Sequence, residues 1–382
     1  LAGILEGRIF VSAVAKVRAL PIRSGVRSDL AGLVSITDLR EILARLLPSW
    51  EIFKVSNAIH ALRLWGPDAV FDTDRFPSPY RSRVYTGREL LSMFLDDRQY
   101  RRVVVSQSPL LKSTNYGVLV ESKQTKMKFE GAPAHVDKVL RVCGELGVPS
   151  DTFIRTPTAE ATMAEMVRGS VATFDSSQEL EWTVEAFARY LADDRWTNRF
   201  GEEFTFDDAA RSLLNKPMGS GSCLGMHVPY VAAILLQVQE QHRILGPGID
   251  RELRLYLKRA SARLQGQQNE NGTWPIQWAE GVPQQAVLDP DVGDELPPSL
   301  SANHPVVWMT LLGHHLEWIA ASPEELRPPL TCIKRAVTFL VTRIATLSDR
   351  SVHEFYHLLT HAGRALCHYA GIDPTRAYKL LS

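Results

Sequence analysis

The chain has 382 residues, 45% of them apolar and 23% charged, which is enough for one large hydrophobic core or two ordinary ones. Its 43 lysines and arginines balance 43 aspartates and glutamates, and basic residues gather only in short groups such as Arg101 and Arg102, a pattern that argues against nucleic-acid binding. Four cysteines in so long a chain are not a disulfide framework, and no apolar run approaches the ~18 residues of a membrane span. The chain starts at Leu1 and not at methionine, so the compartment stays open between the cytoplasm and export after loss of a leading segment.

Apolar residues recur at spacings of three and four over most of the chain. The pattern predicts helices over Asp38–Leu47, Val55–Trp65, Arg88–Leu95, His135–Leu146, Ala159–Arg168 and Leu180–Leu191. It continues over Phe206–Leu214, Leu224–Gln239, Asp250–Gln265, Val306–Ile319, Pro328–Ile344 and Val352–Ala370. Start signals accompany several of them. Thr37 or Asp38 can cap the first, Thr205 precedes a first turn carrying Asp207 and Asp208, and Ser322–Pro323 opens the stretch SPEEL. Strand character is confined to Arg102–Ser106 and Tyr116–Ser122. Proline and glycine place loops at Phe76–Arg83 and Val282–Pro298, the second long enough to suggest a function. No composition shift marks a boundary. The expectation is an all-α domain over residues 36–382, preceded by an N-terminal extension of residues 1–35.

Several groups of residues can carry chemistry. Cys223 and His227 are four apart and share one face if the helix already runs through them. A helix start favours the thiolate, and cysteine and histidine are good zinc ligands, although a buried thiol beside a packed imidazole has the same spacing. In Ser301-Ala302-Asn303-His304-Pro305, Ser301 or Asn303 is placed to cap the next helix, with Pro305 in its first turn and His304 at its start. His353, His357 and His361 form an i, i+4, i+8 stripe suited to a metal or a protonation switch, or to ion pairs with neighbouring helices. Glu181 and Glu185 share a face, which predicts a solvated surface more readily than an acid–base pair. Gly313–Trp318, with His314 and His315, reads as hairpin packing near a helix end. Tyr230, Trp308 and Tyr116 are aromatic candidates for lining a cavity.

Gln268, Gly272 and Trp274 fit Q-x-x-x-G-x-W. The indole can bury a large apolar face, the glutamine can bond backbone groups of a neighbouring helix, and Gly272 suits a turn of positive φ. This segment resembles the QW repeat of the superfamily of squalene cyclases, oxidosqualene cyclases and protein prenyltransferases. The resemblance implies an α/α toroid, a ring of helical hairpins whose inner helices point their starts at a central cavity. It implies an apolar or isoprenoid-like, small-molecule or lipid-like ligand in that cavity, with Cys223, His227 and His304 as catalytic residues and, by analogy with prenyltransferases, as ligands of zinc. Asn303, Tyr230, Trp308 and Tyr116 would line the cavity. The chain departs from the family in its acidic motifs. Asp72-Thr73-Asp74-Arg75 and Asp289-Pro290-Asp291-Val292 do not complete the D-x-D-D of triterpene cyclases, and Asp96-Asp97 and Asp193-Asp194 lack the last residue of D-D-x-x-D. Two other readings stay open. One is a carbohydrate-active toroid using Glu179, Glu181, Tyr116 and Trp182, and the other is a non-catalytic binding or scaffold protein.

Overall fold

The computed structural model describes residues 4–5, 8–9, 15–25, 28–48, 54–71, 86–104, 108–123, 133–221, 223–281 and 304–381. These are mostly helical. The helices, in chain order, are α1 (Ile36–Arg45), α2 (Val55–Trp65), α3 (Gly87–Leu95), α4 (Asp97–Val104), α5 (Lys138–Leu146), α6 (Met163–Thr173), α7 (Leu180–Tyr190), α8 (Phe206–Leu214), α9 (His227–His242), α10 (Pro247–Gln267), α11 (Pro305–Ala321), α12 (Leu330–Thr346), α13 (Asp349–Glu354) and α14 (Tyr356–Ala370). The strands form short antiparallel pairs: β1 (Ile4–Leu5) with β2 (Arg8–Ile9), β3 (Leu111–Thr114) with β4 (Gly117–Val120), β5 (Phe153–Arg155) with β6 (Glu160–Thr162), and β7 (Arg195–Thr197) with β8 (Glu203–Thr205). No helix among the described residues is long and apolar enough to cross a membrane.

Contacts divide the chain into two compact units, each assembled from separate stretches of sequence. The first takes in residues 1–23, 91–215 and 238–250. In it α5 packs against α7, which is buried on every side, and α6 lies against β4. A cassette occurs twice here: a short hairpin whose last residue is a threonine that caps the following helix. Thr162 precedes α6 and Thr205 precedes α8, and each engages the acidic residue three positions on, Glu165 and Asp208, in a reciprocal capping box. The local rule is Thr-x-x-acid, which satisfies two backbone donors at once. It also explains why the helix expected over Ala159–Arg168 begins only at Met163, with β6 occupying the residues before it. Residues expected as a strand at Arg102–Val104 instead end α4, because Asp97, Tyr100 and Val103 are buried on one helical face. Lys16–Ile22 runs beside the end of α7, with Arg18 N–H bonded to the Tyr190 carbonyl (2.7 Å) and Ile22 N–H to that of Arg189 (3.0 Å).

The second unit takes in residues 24–90, 216–237 and 251–382. Its central pair is α11 against α14, flanked by α2, α1 and α12. Gly313 permits the pairing, since a Cβ there would run into the Ala362 backbone. The continuous helix expected over Val352–Ala370 is broken at Phe355 (φ −110°, ψ 27°), which ends α13 and starts α14. The Gln268–Trp274 turn ties α10 to α12. Gln268 Nε2 donates to the Cys332 carbonyl (2.8 Å), and the fully buried Trp274 donates to the Leu264 carbonyl (2.9 Å). Gly272 (φ 91°) sits where a Cβ would strike the Arg335 carbonyl.

Candidate metal centre

The site lies in the second unit and begins with an unusual piece of backbone. Cys223 (φ 51°) and Leu224 (φ 57°) are both left-handed, a conformation that costs an L-residue roughly 1–2 kcal/mol. Helix α9 therefore starts at His227 and not at Leu224 as the periodicity suggests. A left-handed turn, and not a shared helical face, brings Cys223 back over the helix start. Trp278 holds the turn by donating its indole N–H to the Leu224 carbonyl (3.0 Å). The stretch following the glutamine–tryptophan turn thus buttresses the site loop directly.

His227 Nε2 stands 3.0 Å from Cys223 Sγ. The third member comes from α11: ligating atoms of Cys223, His227 and His314 all lie within 4.8 Å of one another. His227 and His314 are nearly fully buried, whereas Cys223 is partly exposed and marks the open side. The His314 Nδ1 faces the Thr310 carbonyl at 2.9 Å. A carbonyl only accepts, so the proton is on Nδ1 and Nε2 carries the lone pair, the arrangement by which ligating histidines are normally oriented.

A second layer comes from α14 and α2. His361 stacks on His314 with centroids 3.7 Å apart and planes 25° from parallel. Its Nδ1 lies 2.6 Å from Glu317 Oε2, while Glu317 Oε1 accepts from Arg364 Nε (2.7 Å) and stands 3.8 Å from Arg63. Burial alone would push the Glu317 carboxyl up, but His361, Arg63 and Arg364 overcome it and hold the group well below the usual carboxylate range. Burial and the neighbouring His314 bring His361 down to about 3, against the pull of Glu317. His60, whose Nδ1 faces the Ser56 carbonyl at 2.7 Å, meets His361 edge-on at 5.1 Å.

His315, next to the site, belongs to the core. It accepts from Trp318 Nε1 (3.0 Å) and touches the rings of Trp274 and Trp278. Burial, then His314, lowers it to about 3, so it is neutral.

Of the residues singled out in the sequence, Cys223 and His227 are brought together. His304 is not in their set. It is the N-cap of α11, its Nδ1 accepting from Val306 N–H (3.3 Å) and its ring against Phe355. Tyr230 is buried one turn beyond His227, and Trp308 is half-buried on α11. Tyr116 belongs to the first unit, at the turn between β3 and β4, where it accepts from Arg199 (2.8 Å) beside a cavity of about 290 Å³ also lined by Lys112, Asp137 and Ser170. Asn303, Ser301 and the loops at 76–83 and 282–298 lie outside the described residues.

The solvated face expected of Glu181 and Glu185 is not found. Both are buried, because α7 is enclosed on all sides and Glu185 bonds Arg141 and Arg189. Glu179 pairs with His135 (2.7 Å), and Trp182 stacks on His135 with Arg141 and Lys138 over its ring. The histidine stripe is interrupted by the break at Phe355, which leaves His353 exposed, while His357 meets His60 edge-on at 5.7 Å and His361 stacks on His314. His314 is the candidate ligand that sequence reasoning missed. Its signal was Thr310, His314 and Glu317, polar residues at i, i+4 and i+7 on a helix whose other residues, His315 apart, are apolar.

Comparison of the chain with family models, with curated proteins and with solved structures yields no match.

Proposed function

We propose that this protein is a zinc-dependent enzyme, its ion held by Cys223 Sγ, His227 Nε2 and His314 Nε2. The observation that carries the reading is the convergence of one ligating atom from each of these residues within 4.8 Å, with the His314 tautomer set by Thr310. Sulfur and imidazole nitrogen are the donors zinc prefers, and a set of three leaves a fourth position for an exchangeable group. When bound, zinc supplies Lewis acidity and lowers the pKa of the group at that position. The protein's part is orientation. Trp278 fixes the Cys223 turn, Thr310 fixes His314, and the buried Glu317 with its two arginines fixes His361 behind it. The α/α-toroid architecture and an apolar or isoprenoid-like substrate complete the proposal, and both rest on the resemblance of the Gln268–Trp274 segment alone.

Elemental analysis of protein purified without chelator or nickel resin tests the metal. About one zinc per chain is expected, lost in Cys223→Ser and His314→Ala and kept in His304→Ala. A wild-type protein without stoichiometric metal overturns the reading.

A metal-free reading has one observation in its favour. The Cys223–His227 contact of 3.0 Å is shorter than the ~3.6 Å edge of a tetrahedral zinc site and suits a thiolate–imidazolium pair. Iodoacetamide labelling of Cys223 that is rapid and unaffected by chelator would favour this pair over the metal.

A further inference from the structure

His361 is 1% exposed, and its Nε2 is buried with no hydrogen-bond partner among the described residues. Such an atom in a native interior calls for a partner beyond those the described residues supply. The other nitrogen is committed. Nδ1 meets Glu317, whose carboxylate sits beside Arg63 and Arg364 and can only accept. The proton therefore sits on Nδ1, and Nε2 carries a lone pair. The ring lies face to face with His314 at 3.7 Å and 6.4 Å from His227, so it packs against both imidazoles of the candidate metal centre. His361 is not itself a fourth ligand in this arrangement. Two imidazoles on one tetrahedral ion would hold their centroids about 5 Å apart, not stacked.

We infer that His361 is a positioning residue: its Nε2 accepts a hydrogen bond from whatever occupies the fourth position. The inference rests on the metal-centre reading and narrows the ligands it admits. The occupant must keep a proton on its coordinating atom. Water and alcohols qualify, as does the N–H of a coordinated sulfonamide, whereas an acceptor-only anion such as azide gains nothing from His361.

The test uses the full chain substituted with cobalt(II), titrated with methanesulfonamide and with azide and followed by its visible spectrum. His361→Asn keeps an amide near the Nδ1 position and removes the acceptor at Nε2. His361→Gln restores an acceptor there. The expected result is a roughly tenfold weaker sulfonamide affinity in His361→Asn, azide within about twofold of wild type, and recovery in His361→Gln. His361→Leu takes the place of His361→Asn should the latter not fold. Equal weakening of both probes, unchanged sulfonamide affinity, or loss of cobalt from the variants overturns the assignment. A wild-type protein that binds no cobalt is a different failure, that of the metal centre itself.

Discussion

Each unit buries a cluster of charged and polar side chains, and the two clusters end differently. In the first, Arg141 lies between Glu145 and Glu185, Glu185 also takes Arg189, and Arg189 reaches the Ile22 carbonyl. Charge closes on charge, and helices α5 and α7 are cross-tied by the result. In the second, Glu317 is likewise held by Arg63 and Arg364, but its remaining oxygen meets His361, whose other nitrogen has no partner among the described residues. Beyond that ring stand His314, His227 and Cys223 with their ligating atoms converging. A buried network whose charges answer one another across two helices is architecture, and one that ends in a lone pair beside converging donors is a candidate site.

Substitutions can break that contrast, and one in each unit carries the largest effect. Glu185→Gln leaves two buried guanidiniums short of charge and should lower unfolding free energy by ~3–5 kcal/mol in urea titrations, with metal content untouched. Trp274→Ala, in the second unit, should cost ~3–5 kcal/mol by removing a fully buried indole that packs on His315. A loss of zinc from Glu185→Gln, or a Trp274→Ala protein with unchanged melting, would undo the division of roles.

Chelation is a milder probe. Removing an ion that binds only the folded chain should lower stability by roughly 2–4 kcal/mol at ordinary zinc occupancy. His314→Ala should melt at the same temperature with or without chelator. A smaller effect distinguishes the cysteines. Burial pushes the Cys143 and Cys367 thiols up to about 12, while Cys223 is partly exposed beside His227. Folded pKa values above the unfolded value of ~8.5 mean a stability contribution fully present below that pH and lost as pH rises toward 12. Stability should therefore fall from about pH 9 upward. In metal-stripped native protein at pH 8, Cys223 should be alkylated first. Modification of Cys143 before Cys223 would contradict the burial.

Much of the local structure could be read directly. The bounds of Val55–Trp65 and Phe206–Leu214 follow from periodicity, and the capping threonine at 205 was visible in Thr-x-x-Asp. The turn at Gln268–Trp274 behaves as its residue types require, with an amide on a neighbouring helix and an indole fully buried. Cys223 and His227 stood out by spacing, although the reason they meet is a left-handed turn that no periodicity reveals. What could not be read is what depends on a partner helix. His314 and Glu317 look like helix-end polar residues until α14 is laid against α11 across Gly313. Glu181 and Glu185 look solvated until α5 supplies Arg141. His304 looked like a site residue at a helix start. Its imidazole is instead used by the helix start itself.

The hairpin–threonine–helix cassettes have a kinetic consequence. Each joins residues that are near neighbours in sequence: Phe153 pairs with Thr162, and Thr162 closes its own capping box with Glu165. Short loops of this kind close in well under a microsecond and hairpins form in about 1–10 μs. The candidate metal centre has the opposite character. It requires His227 to find His314 and His314 to find His361 across long stretches of chain, and such distant pairings are the slow ones. During refolding, helix and hairpin signals should precede the capacity to bind cobalt. The wild-type chain would then acquire its scaffold early and its chemistry last.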